Sequence, residues 1–281
     1  MKIGAVFCIY NEPEYIDYAV RSVLPAVEKV FIVLGKAPYT AYNPKARDLS
    51  KADTQTEPIV DRLAGEYPDK IQVTKGIWDN ELDERNTGLK MCLDAGMDYF
   101  WLVDGDEVYR ADHIENIKRG IAEHPNHGTF IVKCDTFWRS FNYRIPAQEN
   151  SWRPRRIFKL TKWRTLLGIP IFPHQLRFKG INDITSLGPI YEFPPEQAIF
   201  YHFSYARSSK AMDEKFVTFS HAHQILPDWV EKVWKPWPNN REMENIHPVD
   251  PPKFPKAHFV RPDDFPEILK KHPYYGLDLI P

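Results

Sequence analysis

Residues 99–109 read Tyr99-Phe100-Trp101-Leu102-Val103-Asp104-Gly105-Asp106-Glu107-Val108-Tyr109. Five apolar, aromatic and β-branched residues stop abruptly at two aspartates one residue apart, with a glutamate beside them. The apolar run predicts a buried strand. Three carboxylates at its end repel one another, and each raises its neighbours' pKa unless positive charge sits among them. A divalent cation would supply that charge, and hard cations prefer oxygen ligands. Read alone, the stretch also suits an acidic loop capping the next helix.

Working back toward residue 1, Ile3–Ile9 and Val30–Leu34 are apolar runs of the buried-strand type, and Ile71–Val73 is a shorter one. Between them, Ile16, Ala19, Val20, Val23 and Leu24 recur at helical spacing, with Asn11 as the expected cap and Pro13 in the first turn. Ile59, Val60, Leu63 and Ala64 mark a second helix, and Leu82, Leu89 and Leu93 a third that leads into the Tyr99 strand. Strands alternating with helices imply a Rossmann-like, mostly parallel sheet flanked by helices, an α/β fold. Ligands then bind beyond the carboxyl ends of the strands, where both Tyr10-Asn11-Glu12 and the acidic pair fall.

Beyond residue 125 the alternation fades. Thr129–Cys134, Arg156–Leu160 and Ile199–Phe203 read as strands with few helices between them. From Pro227 onward, prolines interleave with Trp229, Trp234, Trp237, Phe254, Phe259, Phe265, Tyr274 and Tyr275. So many prolines oppose regular structure, while so many aromatics oppose disorder. The expected organisation is an α/β half over 1–125, a second half over 126–226 completing the same domain, and an irregular extension over 227–281 packed on the body.

The chain has 281 residues, 43% hydrophobic and 27% charged, with a formal net charge of -1. That balance gives no whole-protein field favouring nucleic acid or membrane. Cys8, Cys92 and Cys134 are scattered and odd in number, as expected of reduced thiols in a cytoplasmic protein. No apolar run reaches the ~20 residues of a membrane span, and Met1-Lys2 leads straight into a strand, with no signal peptide expected.

The first ~110 residues resemble glycosyltransferase family 2, whose members have the GT-A fold. Ile9-Tyr10-Asn11-Glu12 looks like the turn that ends the family's first strand. Trp78 to Gly88, with its Arg85-Asn86 pair, looks like the segment before the metal motif, and Val103-Asp104-Gly105-Asp106-Glu107 like that DxD motif itself. Further on, Arg156–Lys159, Phe172-Pro173-His174-Gln175 and Tyr201-His202-Phe203-Ser204-Tyr205 resemble, in order, three motifs of a subgroup. The resemblance spans roughly residues 3–205 and does not cover the extension.

It implies an inverting transfer of a sugar from a nucleotide-diphosphate donor, with UDP-sugar expected, assisted by a divalent metal. Asp104, Asp106 and His202 would be the metal ligands. The histidine shifts the preference from Mg2+ toward Mn2+, imidazole being a softer donor. Ile9, Tyr10, Asn11, Glu12, Asp53, Arg85, Asp104 and Gly105 would line the nucleotide-sugar site. Two departures matter. Strand two runs into Gly35-Lys36-Ala37-Pro38 where the family has an aspartate-rich turn, with Asp53–Thr56 as its displaced counterpart. Gln175 stands where the subgroup keeps an acid. The general base then falls to His174 or Asp183, with Glu149 a further candidate.

Residues 133–180 hold eleven Lys or Arg against Asp135 and Glu149, interleaved with Phe137, Trp138, Phe141, Tyr143, Trp152, Phe158 and Trp163. Such a segment suits a nucleic acid acceptor carrying a hydroxylated base. The favoured account is plainer: some of these cations hold the donor diphosphate and the rest are solvated. A nucleotidyltransferase is the competing enzyme class, opposed by the absence of glycine after strand one. A catalytically inactive GT-A binding domain is the third reading, prompted by Gln175.

Overall fold

A computed structural model describes residues 1–39, 55–160, 189–261 and 264–281. In chain order its first half runs β1 (Ile3–Ile9), α1 (Ile16–Val23), β2 (Lys29–Gly35), α2 (Thr56–Glu66), β3 (Ile71–Gly76), α3 (Glu81–Asp94), β4 (Tyr99–Val103), β5 (Glu107–Val108) and α4 (Ala111–Glu123). The second half adds β6 (Thr129–Ile131), β7 (Lys133–Trp138), β8 (Tyr143–Ile145), β9 (Arg155–Lys159), β10 (Ile190–Glu192), β11 (Ile199–Tyr205), α5 (Ser209–Thr218) and β12 (His258–Phe259). Among the described residues no helix is long and apolar enough to cross a membrane.

The main sheet has the order β10-β6-β9-β4-β1-β2-β3 among the described residues. β1, β2, β3 and β4 are mutually parallel, and β9 runs antiparallel between β4 and β6. The chain leaves β1 toward β2 on one side and returns to β4 on the other. β1 and β4 therefore flank the point where strand order reverses, and a crevice opens there at their carboxyl ends. All five residues of β4 are buried, as a strand covered on both faces requires.

Close packing fixes α3 on this sheet. Gly88 lies against β1, and a Cβ there would meet Val6 Cγ1 at 2.3 Å. Helix propensity alone favours alanine by about 1 kcal/mol. Overpacking costs about 1–3 kcal/mol and wins here because Val6 is in the core. Gly88→Ala is therefore expected to lower stability in urea unfolding, and a rise would show that α3 can stand off from β1.

Two expectations are corrected locally. The first helix starts at Ile16 with Tyr15 as its cap residue. Asn11 instead takes a left-handed conformation, φ 54°, which asparagine tolerates well, and its Nδ2 donates to Glu214 Oε2 at 2.7 Å. The run Thr129–Cys134 is not one strand. It breaks at Val132 into β6 of the main sheet and β7 of a second sheet, ordered β12-β8-β7-β11-β5.

That second sheet carries the aromatic chain that follows residue 226. Trp229, Trp234, Trp237 and Phe254 form one buried cluster with Trp138, Tyr205 and Met212. Phe265, Leu269 and Ile280 form another with Tyr15, Phe137, Phe141 and Phe203. Short 3-10 turns and one π turn connect these anchors, so side-chain burial rather than a backbone ladder holds this stretch.

Candidate active site

A cleft of about 1070 Å³ lies beyond the carboxyl ends of β1 and β4, closed on its far side by β11, α5 and residues 247–254. Its floor is Asp104-Gly105-Asp106. Gly105 allows the turn after β4 to press on the turn after β1: a Cβ there would come within 3.0 Å of both Glu12 Cγ and Ile9 Cγ2.

Sequence reasoning demanded positive charge among the carboxylates, and the chain supplies it. Arg207 Nη2 donates to Asp106 Oδ2 at 2.5 Å and to Glu12 Oε2 at 2.6 Å. Lys215 Nζ, from α5, donates to the same Asp106 oxygen at 3.2 Å and to Ser204 Oγ at 2.7 Å. Arg156, from β9, donates to Asp104 Oδ2 at 3.0 Å and pairs with the fully buried Glu107. Burial opposes the charge on Asp106, yet Lys215, Arg207 and His202 outweigh it and hold this carboxyl well below the usual range. For Asp104 burial is likewise overcome, by Arg156 and Arg85. Glu12 goes the other way. Its burial outweighs Arg207 and pushes the carboxyl up to about 7.

His202 faces the acidic pair from β11. Burial pushes its ring down to about 4, against the pull of Asp106, so it is neutral near pH 7. Nε2 stands 3.6 Å from Asp106 Oδ1, too far for a hydrogen bond, and the buried Nδ1 meets no partner among the described residues. A neutral imidazole nitrogen and a carboxylate oxygen at that spacing suit two ligands of one cation held at about 2.1 Å by each. Among the described residues no three His, Cys, Asp or Glu side chains gather closely enough to hold a metal. Asp106 and His202 would supply two of such a cation's ligands.

At the other end of the cleft, Tyr10, Tyr39, Trp78 and Arg85 line the wall near the ends of β1 and β2. Arg85 is paired with Glu81 one helical turn back and still faces the cleft, with 13% of its side chain exposed. Glu84 is 1% exposed. Tyr39 donates to its Oε2, while Oε1 meets no partner among the described residues. Burial pushes this carboxyl up to about 8, with the Tyr39 hydrogen bond opposing.

The structure thus brings together Ile9, Tyr10, Asn11, Glu12, Arg85, Asp104, Gly105, Asp106 and His202. Asp53, His174, Gln175 and Asp183 lie outside the described residues. Glu149 is not in the cleft: it is half-exposed and bonded to His258 Nε2 at 2.7 Å, so it is withdrawn as a base.

Over its described part, several cations of the basic, aromatic segment have partners inside the protein. Arg144 is paired with Asp135 and Asp264, Arg153 with Glu192, and Arg156 with Asp104 and Glu107. Phe137, Trp138, Phe141 and Phe158 are fully buried. Arg153 nevertheless stays exposed, and it lines the cleft with Trp152, Arg155 and Arg156.

Arg207, Lys215, Ser204, Glu84, Tyr39 and residues 247–254 were not singled out from sequence. Nothing in one sequence separates a cation that will be buried on an aspartate from one that will be solvated. The one available signal was arithmetic, since the crowded carboxylates required counter-charge from elsewhere in the chain.

No protein-family model matches the chain, and no curated protein does. Solved structures with a similar chain course include S. aureus TarS 1-349 in complex with UDP-GlcNAc, at 15% identity and a TM-score of 0.48, covering 73% of this chain and 59% of that one. The same TarS fragment with UDP gives 14%, 0.42, 85% and 78%. Mannosyltransferase PcManGT from Pyrobaculum calidifontis, in complex with GDP-Man and Mn2+, gives 17%, 0.46, 72% and 56%. The chain thus spans about three fifths of the first of these structures. At such identities and scores, what the cleft can do is read from its own residues.

Proposed function

We propose that this protein is a glycosyltransferase that moves a sugar from a nucleoside-diphosphate donor, UDP-sugar being the first choice, to an acceptor hydroxyl with inversion at the anomeric carbon. The observation that carries the reading is the acid–cation cluster at the mouth of β1 and β4. Asp104, Asp106 and neutral His202 face one cleft together with Lys215, Arg207 and Arg85. A nucleoside diphosphate is a strong anion attached to a flat, polar base. The cluster answers the first feature, and the Tyr10–Tyr39–Trp78 wall with Glu84 answers the second.

In this reading the acceptor oxygen attacks the anomeric carbon as the bond from that carbon to the diphosphate oxygen breaks. The leaving diphosphate takes the electron pair. Charge growing on its oxygens is met by the ammonium of Lys215, which has three donors and gives two of them to Asp106 and Ser204. Arg207 and Arg156 keep Asp106 and Asp104 ionised and oriented. Asp106 and His202, with Asp104 beside them, would hold a divalent cation, Mn2+ in preference to Mg2+. When bound, that ion polarises the diphosphate oxygens. The acceptor's proton is assigned to His174 or Asp183.

The test is a panel of UDP-, GDP- and other nucleotide sugars, scored for hydrolysis and transfer with Mn2+, with Mg2+ and with chelator. Turnover of at least one donor, stimulated by Mn2+, is expected. Absence of both turnover and nucleoside-diphosphate binding across the panel would end the proposal.

A further inference from the structure

We propose that Tyr205 is a hydrogen-bond donor to an oxygen of the bound nucleotide sugar, and that His247 is the positioning residue that turns its hydroxyl proton into the cleft. This rests on the function proposed above and extends it to the loop 247–250, which no sequence motif reached.

Hydrogen-bond bookkeeping around His247 leaves one solution. Its Nδ1 lies 3.2 Å from the backbone nitrogen of Val249 and 2.9 Å from that of Asp250, both donors. Nδ1 must therefore be bare and accept. Burial depresses the ring to about 3, so a single proton remains near pH 7 and it sits on Nε2. Nε2 is 2.9 Å from the Tyr205 hydroxyl and donates to it.

The Tyr205 oxygen is thereby an acceptor on that side, and its own O–H has to be given elsewhere. Burial and the nearby Asp106 charge keep the phenol protonated. Among the described residues the hydroxyl meets no acceptor, although Tyr205 is only 6% exposed and lines the cleft. A nearly buried hydroxyl without an acceptor is destabilising until something takes its proton.

Packing keeps the hydroxyl from turning aside. Phe254 stacks on His247 with centroids 4.2 Å apart and planes 12° apart. Trp138 lies against Tyr205 at 4.9 Å. The loop 247–250 therefore sets the proton of a cleft residue that sits on another element, β11. A phosphate oxygen and a sugar oxygen are the two acceptors a nucleotide sugar offers there, and they share this chemistry.

The experiment is isothermal titration of UDP, UDP-GlcNAc, GDP and GDP-Man into wild type, Tyr205→Phe, His247→Phe and the double variant. Tyr205→Phe retains the ring against Trp138. It is expected to weaken the nucleotide sugar that wild type prefers by roughly tenfold, the worth of one hydrogen bond to a charged or strong acceptor. An equal loss with the parent diphosphate assigns the phosphate oxygen, and a loss with the nucleotide sugar alone assigns the sugar oxygen. Because His247 acts through Tyr205, adding His247→Phe to Tyr205→Phe should weaken binding no further, whereas two unrelated structural defects would add. Binding by Tyr205→Phe within twofold of wild type overturns the inference, and needs no His247 variant. Failure of wild type to bind any of the four ligands would instead count against the proposed function.

Discussion

Replacing Arg207 with methionine is expected to lower the unfolding free energy by about 3–5 kcal/mol near pH 7. Arg207 is 3% exposed and is shared by Glu12 and Asp106. Its removal leaves the buried Asp106 and the part-buried Glu12 with Lys215 as their remaining close cation. The exposed pair of Arg153 with Glu192 is the control, and its loss should cost less than about 1 kcal/mol. The pH dependence has a definite sign. Glu12 already titrates near 7 in the folded protein, above its value when unfolded, because burial outweighs Arg207. Without that cation it rises further. The folded variant then binds more protons than the unfolded chain between its ordinary carboxylate range and its raised folded value, so stability increases as pH falls through that window. Urea unfolding at pH 8 and pH 5 should show a smaller deficit at the lower pH. A deficit below 1 kcal/mol, or one equal at both pH values, would mean that the Arg207 pairs are not the buried network described above.

Asp106→Asn is expected to lower sugar transfer by roughly 10²–10³-fold in the presence of Mn2+, the range seen when one preorganised electrostatic group is removed. Its effect on nucleoside-diphosphate binding in chelator should run the opposite way. The carboxylate ties up Lys215 and Arg207 through one oxygen. Neutralising it leaves both cations to face the incoming diphosphate, with Glu12 alone opposing. Affinity without metal should then rise by about tenfold, on the scale of one partly screened charge contact. Calorimetry in chelator and a transfer assay in Mn2+ separate the two effects. Transfer retained within threefold would remove Asp106 from the reaction, and unchanged metal-free binding would show that Lys215 and Arg207 do not meet the diphosphate.

Much of the fold was legible because burial writes itself into the sequence as period and length. Ile3–Ile9, the Val30 run and Tyr99–Val103 could only be covered strands, and their alternation with helices dictated a parallel sheet. Where the backbone depends on one residue's conformation, the reading failed. Asn11 looked like a cap, but its left-handed conformation delays α1 by a turn. Val132 gave no sign that the chain changes sheets there, since an apolar, β-branched residue suits the interior of a single strand.

The candidate site divides along similar lines. Residues that lie at the end of a strand, such as Asn11, Glu12, Asp104 and Asp106, were found because position along a strand fixes position at the cleft. Glu149 failed because a carboxylate on a loop has no such constraint, and this one turns outward to His258. Sequence lists charges without their partners, so it could not say which cations between residues 133 and 160 are already taken. Arg144, Arg153 and Arg156 spend theirs on Asp135, Asp264, Glu192, Asp104 and Glu107.

By itself, then, the sequence determined that three carboxylates stand at the end of a buried strand and must be neutralised, because electrostatic repulsion between near neighbours along the chain needs no tertiary information. Only the tertiary structure decided what neutralises them. Arg156, Arg207 and Lys215 arrive from 49 to 109 residues away, and the proton on Tyr205 is set by a histidine 42 residues further on. Coulomb and hydrogen-bond energies depend on distance in space, and separation along the chain does not encode that distance once a sheet has brought its strand ends together.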